Sequence, residues 1–279
     1  MTRYPAIDLT GTLVAVTGAA RGIGLATARA FADAGAHVAL GDLDADLAST
    51  ASADLGHRAM ARYLDVTDTD SFQSFLGAAE AWADRPLDIL VNNAGVMPNG
   101  PFLDQDNTID RLTIDVNVFG IIHGMRLAAP PMVARGRGHI VNIASMAGLF
   151  PIPGLAVYNA SKYAAVGLTA ATRLELNGTG VSVSAVLPSA VRTELTTGIN
   201  YGRLPASDPE DIAAAVLKTV RTRAAQTCIP SYLGVVAHLT AITPEPLMRI
   251  ARRMMRDDAA LTRVDPTTRQ AYLDRIAHQ

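Results

Sequence analysis

Residues 12–35 constrain the chain more than any other stretch. Thr12-Leu-Val-Ala-Val-Thr17 is a short apolar run rich in β-branched residues, and such a run reads as a buried strand. It leads into Thr17-Gly18-Ala19-Ala20-Arg21-Gly22-Ile23-Gly24, after which Ile23, Ala26, Ala30 and Phe31 keep helical spacing as far as Gly35. Glycines in a strand–turn–helix let the backbone approach a pyrophosphate, and the free N–H groups of the helix start favour its charge. The spacing is G-x-x-x-G-x-G, a departure from the commonest G-x-G-x-x-G fingerprint. Placed between strand and helix, it implies dinucleotide binding through Gly18, Gly22 and Gly24.

The next strand, Ala36-His-Val-Ala-Leu-Gly41, stops at Asp42, eighteen residues past Gly24. A carboxylate there is placed to bond both hydroxyls of an adenosine ribose and to repel a 2′-phosphate, which favours NAD over NADP. Two features compete with this reading. Asp42 or Asp44 is also a suitable cap for the following helix, and Arg21 is a cation near the ribose able to tolerate a phosphate.

Further strand–helix units follow. Strands are expected at 59–64, ending in Asp65-Val66, at 88–91, running into Asn92-Asn93-Ala94-Gly95, at 139–144, at 181–187 and at 226–229, with helices at 70–83, 106–135, 157–177 and 208–221. This alternation predicts an α/β fold, a Rossmann-like doubly wound parallel sheet of about seven strands with helices on both faces, in one domain over 1–279. Ligands then gather at the carboxyl ends of the strands. Asn117 falls inside the 106–135 helix, where asparagine is a poor former; a local kink and a polar contact at a subunit interface both explain it.

Composition narrows the partners. Charged residues make up 18%, hydrophobic residues 49%, and the net charge is −2. That suits a well-buried core and offers no basic field for nucleic acid. The single cysteine, Cys228, permits no internal disulfide, and the six histidines lack ligand spacing, so no metal site is expected. No apolar signal core or run of 18 uninterrupted apolar residues occurs, which leads to the expectation of a soluble, cytoplasmic protein.

One pair carries chemistry. On a helix, Tyr158 and Lys162 stand at i and i+4 on one face. A nearby ammonium favours the phenolate and lowers a pKa that is ordinarily about 10. Ser145 lies thirteen residues upstream, at the end of the fifth strand. Taken alone, Tyr and Lys one turn apart are common on solvated helices.

Taken together, Thr17-Gly18 with Gly22-Ile23-Gly24, Asp65-Val66, Asn92-Asn93-Ala94-Gly95, Asn117, Ser145 and Tyr158 with Lys162 resemble the short-chain dehydrogenase/reductase family over about residues 10–230. The resemblance implies that Tyr158 is the general acid/base, that Lys162 lowers its pKa and holds the nicotinamide ribose, and that Ser145 bonds the substrate oxygen. It implies that Asn117 holds a proton-relaying water. Gly18, Arg21 and Ile23 then serve the pyrophosphate turn, Asp42 the adenosine ribose, and Asp65 and Val66 the adenine pocket. Asn93, Ala94 and Gly95 would run alongside the cofactor, with Pro188, Val191 and Thr193 at the nicotinamide carboxamide. A homotetramer or dimer is also implied, packed partly through the helices of Asn117 and Tyr158. Where the family commonly has Pro-Gly, this chain has Pro188-Ser189, which suggests a displaced loop.

The last part, 231–279, reads as a helical extension beyond the family core. Tyr201, Leu204, Leu233 and Val236 are expected to give an apolar pocket for a lipophilic alcohol or ketone, with a mobile substrate loop over 195–207. Residues 247–256 carry four arginines, Arg249, Arg252, Arg253 and Arg256, among Met, Leu and Ile. Such a segment suits either a helix covering the pocket or a neighbouring subunit, or peripheral contact with an anionic membrane. The leading expectation is an NAD-linked dehydrogenase of secondary alcohols or ketones; NADPH-dependent reduction of a ketone or 3-oxoacyl chain, and a non-catalytic nucleotide sensor, are the alternatives.

Overall fold

Seven short strands pair in parallel in the order β3-β2-β1-β4-β5-β6-β7. The computed structural model describes residues 4–199, 206–244, 246, 259–262 and 264–277. The strands are β1 (Leu13–Thr17), β2 (His37–Asp42), β3 (Ala59–Tyr63), β4 (Ile89–Asn92), β5 (Gly138–Ile143), β6 (Val181–Pro188) and β7 (Gln226–Ile229). Between them run α1 (Gly22–Asp33), α2 (Ala45–Leu55), α3 (Thr69–Ala83), α4 (Asn107–Ile114), α5 (Gly120–Arg135), α6 (Ala156–Glu175) and α7 (Pro209–Thr222). The chain then continues through α8 (Tyr232–Ile242), α9 (Ala259–Thr262) and α10 (Pro266–Ala277).

The continuous apolar runs of the sequence become strands buried on both faces, as a covered parallel sheet requires. Successive side chains feed two different cores. Leu13 and Ala15 of β1 pack with Phe72 and Phe75 of α3 and Met132 of α5. Val14 and Val16 pack with Ala28 and Phe31 of α1 and Ile212 and Val216 of α7. Phe31 and Phe72 are fully buried, so truncating either to alanine costs about 3–5 kcal/mol.

Strand order reverses at β1 and β4: the chain leaves β1 toward β2 and later returns on β1's other side. This is the switch point where the loops after the two strands diverge and open a crevice. Helix starts are set locally. Asp44, Asp68 and Asp106 each cap a helix by accepting a backbone N–H, and Asp208 with Asp211 forms a capping box ahead of Pro209.

The expected helix over 106–135 is not continuous. It is interrupted by a π turn, Asp115–Phe119, between α4 and α5. The turn brackets Asn117, which is fully buried. Its side chain accepts from Val96 N at 2.9 Å and donates to Val96 O at 2.9 Å and Ser161 Oγ at 3.0 Å. The partners are thus within the chain, and the local kink, not a subunit contact, accounts for the residue. The extra residue per turn turns the amide toward the segment after β4.

Candidate active site

The carboxyl ends of β1, β2, β4, β5 and β6 converge on one cavity of about 670 Å³. Its first wall is the glycine turn. Gly18 adopts φ +62°, and a Cβ there would stand 2.8 Å from Ala94 Cα. At Gly24 an added Cβ would overlap the Gly18 carbonyl oxygen. Only glycine lets these backbones close up. The turn is braced by Thr17, whose Oγ1 accepts from Asn93 N at 2.9 Å and Ala94 N at 3.0 Å, while Asn93 Nδ2 donates to the carbonyls of Thr17 and Gly18, each at 2.9 Å. Unlike the aspartate-capped helices, α1 has no side-chain cap: Arg21 at its N-cap is extended and donates elsewhere. The first-turn N–H groups therefore remain for an anion at the cavity rim. The tight turn and uncapped helix start fit a dinucleotide pyrophosphate.

Asp42 lines the cavity, and the cap ambiguity resolves: Asp44 caps α2 through Leu47 N at 3.1 Å, whereas Asp42 accepts from Ala20 N at 2.9 Å and Asp44 N at 3.1 Å. Arg21 feels the Asp42 charge but makes its ion pairs elsewhere. Its guanidinium pairs with Asp44 at 2.5 Å and with Glu194 at 3.0 Å. Glu194 is shared with Arg275 of α10 at 2.5 Å. Burial works to raise the Glu194 pKa, but hydrogen bonds and charge from the two guanidiniums outweigh it and leave the carboxyl below its ordinary value.

Asp65 and Val66 line the same end, where Asp65 Oδ1 accepts from Thr67 N at 2.8 Å and Thr67 Oγ1 at 2.7 Å. Ile23, Gly22, Asn93, Ala94 and Gly95 also line the cavity, as do Pro188, Val191 and Thr193. At Ser189 the N–H donates to Ile229 O at 2.8 Å and so prolongs the pairing of β6 with β7. Gly24 and Asn117 stand behind the cavity wall; the first permits the turn and the second ties α4–α5 to Val96 and α6.

The polar centre lies where β5 ends. Ser145 follows β5, and its Oγ accepts from Ala147 N at 3.1 Å. Tyr158 and Lys162, on the first turns of α6, are 6% and 5% exposed and both line the cavity. Lys162 Nζ sits 5.7 Å from the Tyr158 ring centroid and donates to Ile143 O at 3.0 Å. An ammonium carries three donors, and this carbonyl takes one of them. Burial lowers the Lys162 pKa to about 8. A Cβ on Gly95 would meet Asn117 Oδ1 at 3.1 Å and Lys162 Nζ at 3.7 Å, which places all three residues together.

Beyond this centre the lining turns apolar: Met97, Ile152, Leu155, Leu195, Leu233 and Ile276. Of the four residues expected to form an apolar pocket, Leu233 does. Val236 does not line the cavity; with Tyr232, Val235 and Leu239 it forms the exposed side of α8, while Leu233 and Ala237 pack inward. Tyr201 and Leu204 lie outside the described residues, as does the basic segment 247–256. Sequence reading missed Tyr272, Arg275 and Ile276, which reach the cavity from α10. They belong to no local motif, so no spacing signal was present to find them.

The family described as short chain dehydrogenase matches residues 12–203. The chain belongs to that family, whose members are oxidoreductases that use a nicotinamide cofactor. Among curated relatives, the oxidoreductase UcpA of Salmonella typhimurium is 36% identical over 218 residues, covering 77% of this chain and 82% of that protein. The probable oxidoreductase EphD of Mycobacterium tuberculosis is 38% identical over 208 residues, covering 72% of this chain and 34% of that protein. A match to the glycine betaine reductase ATRR of Emericella nidulans is 37% identical and covers 78% of this chain but only 18% of that larger protein.

Solved structures agree with the fold. A short chain dehydrogenase/reductase from Burkholderia phymatum in complex with NAD superposes with a TM-score of 0.77 at 25% identity, covering 93% of this chain and 99% of that one. The 3-ketoacyl-(acyl-carrier-protein) reductase from Brucella melitensis complexed with NADH gives 0.71 at 31% identity, covering 76% and 91%.

Proposed function

We propose that the chain is an NAD-linked dehydrogenase that interconverts a lipophilic secondary alcohol and its ketone. The observation that carries this reading is the pairing of Tyr158 with the buried Lys162 at the junction between the glycine-turn end of the cavity and its apolar end. When bound, the nicotinamide accepts or supplies the hydride. In the oxidising direction the Tyr158 phenolate takes the hydroxyl proton as the carbon loses hydride; reduction returns it. Lys162 favours the phenolate by its charge and offers its remaining donors to the ribose. Ser145 donates to the substrate oxygen, whose partial charge grows along the reaction. The Asn117 side chain is engaged by Val96 and Ser161, which fixes the π turn to which the relaying water is assigned.

NAD is favoured because the Asp42 carboxylate faces the cavity, while Arg21 is committed to Asp44 and Glu194. A 2′-phosphate would meet this negative charge with Arg21 already paired. The lipophilic substrate follows from the apolar far end, where the lining cation Arg275 is already paired with Glu194. The protein is assigned to the cytoplasm as a homo-oligomer, packed through the helices of Asn117 and Tyr158, on which Phe119 and Tyr163 are exposed. The intact catalytic set speaks against a nucleotide sensor.

The direct test is a screen of steroid, long-chain and cyclic secondary alcohols for NADH production, repeated with NADP. Turnover with NAD at least about tenfold more efficient than with NADP is expected, and Asp42→Ala is expected to shrink that ratio by about tenfold, or 1.4 kcal/mol. A strong preference for NADP in the unaltered protein would favour the 3-oxoacyl reductase reading instead.

A further inference from the structure

Helix α10 is held against the cavity by a buried cation that stands behind its wall. Arg269 is 2% exposed, and a guanidinium taken that far from water must satisfy its donors within the protein. Its Nε donates to Asn99 Oδ1 and its Nη2 to Met97 O. Nη1 reaches Leu195 O at 2.9 Å and Thr197 O at 3.4 Å. Met97 and Asn99 belong to the segment after β4; Leu195 and Thr197 belong to the segment after β6. Both segments carry cavity lining, and nearly 100 residues of chain separate them. An arginine serving only to pack the tail would need acceptors from one of them. This one binds both, and only a planar fork of five donors spans them; a lysine presents three donors from one point.

Tyr272 extends the clamp. Met97 N donates to Tyr272 Oη at 2.9 Å, and the Arg269 guanidinium lies 4.4 Å from the centroid of the Tyr272 ring. The backbone closes the same corner, with Asp265 N donating to Gly198 O at 2.7 Å. As a result Tyr272 and Ile276 face the cavity, although both are almost wholly shielded from solvent.

We propose that Arg269 is a positioning residue that locks α10 across the segments after β4 and β6, making Tyr272 and Ile276 the wall that limits the size of the apolar substrate. The proposal rests on the dehydrogenase reading for its substrate but not for its geometry. Its test uses the full chain with Ile276→Ala, Tyr272→Phe and Arg269→Lys, a series of secondary alcohols of increasing length with NAD, NADH titration by fluorescence, and hydrogen exchange at the Met97 amide.

Ile276→Ala is expected to shift the kcat/KM ratio of long to short alcohols by about tenfold toward the longer, within the range one or two methylenes produce in an apolar pocket. Arg269→Lys is expected to raise substrate KM about tenfold with little change in kcat, the pattern of lost positioning rather than lost chemistry. NADH affinity stays unchanged in all three. Exchange at the Met97 amide accelerates in Arg269→Lys and Tyr272→Phe, because its acceptor is loosened or removed. Unchanged Met97 exchange in both variants overturns the clamp whatever the activity, and an Ile276→Ala profile parallel to the unaltered protein overturns the wall. If Arg269→Lys does not fold, Tyr272→Phe and Ile276→Ala decide the matter by the same readouts. Failure of the unaltered protein to oxidise any alcohol, with Met97 exchange still accelerated in Tyr272→Phe, would count against the dehydrogenase reading and leave the clamp standing.

Discussion

Strand β5 has a buried polar cluster at each end, and the two behave differently. At its start His139 is fully buried, with Nδ1 at 2.8 Å from Ser182 Oγ and Nε2 at 2.9 Å from Thr219 Oγ1. Arg223 joins them by donating to Ser182 Oγ at 3.1 Å and to Pro5 O at 3.0 Å. At its finish Ser145, Tyr158 and Lys162 surround the cavity. Burial shifts a pKa strongly in both places: His139 falls to about 3, chiefly by burial with a smaller contribution from the Arg223 charge, and Lys162 falls to about 8. A perturbed pKa therefore does not by itself mark a site. What separates the clusters is where they stand. The first closes on itself between β5, β6 and α7, whereas the second lines the cavity.

The comparison breaks if substitutions in the two clusters have similar effects. The largest difference is expected for Tyr158→Phe, which should lower kcat by roughly 10²–10⁴ while NADH binding and the thermal midpoint hold, since one proton-transfer group is lost from an otherwise intact frame. A fall in stability as large as the fall in rate would make this cluster structural too.

His139 should act on stability alone. Its unfolded pKa is 6.5 and its folded pKa about 3, so between those values the unfolded state binds the additional proton. Stability must then fall as the pH drops through 6.5 and level off near 3, by roughly 5 kcal/mol over the whole window at 1.36 kcal/mol per unit. Urea unfolding of His139→Gln at pH 7 and pH 4 should lack most of this acid-side loss, with kcat at pH 7 little changed.

Lys162 has the mirror window. Its unfolded pKa is 10.5 and its folded pKa about 8, so the unfolded state again binds more protons between them and stability rises from pH 8 toward 10.5, by roughly 3 kcal/mol. Lys162→Met should abolish that rise and also slow turnover, a double effect that no member of the His139 cluster should show. Thr219→Val completes the series: it leaves His139 Nε2 without its partner and should cost about 1–3 kcal/mol at neutral pH, read by thermal unfolding, with NADH affinity and kcat preserved.

Much of this molecule is legible along the chain because its causes are local. Runs such as Leu13–Thr17 and Val181–Pro188 are buried throughout because both faces of the sheet are covered. The glycine turn follows from backbone approach at Gly18 and Gly24, and Tyr158 and Lys162 meet because one helical turn separates them. The strand–helix alternation then leads to the sheet and to the end of it where ligands collect.

Other features were settled by residues far apart in sequence. Asp42 and Asp44 both line the cavity and are equivalent candidates for a cap until Asp42 is taken by Ala20 N, 22 residues away, and α2 is capped by Asp44. The π turn at Asn117 answers to Val96 and Ser161, which lie 21 and 44 residues away. Arg269 meets Met97 across 172 residues and Tyr272 meets it across 175, and no periodicity or spacing marks either. The sequence alone determined the glycine turn and the placing of Tyr158 beside Lys162, because backbone sterics and helical period act over a few residues. Only tertiary structure decided which acid accepts from the glycine turn and which late helix walls the cavity, because those choices depend on which buried polar groups find partners once the chain has folded back on itself.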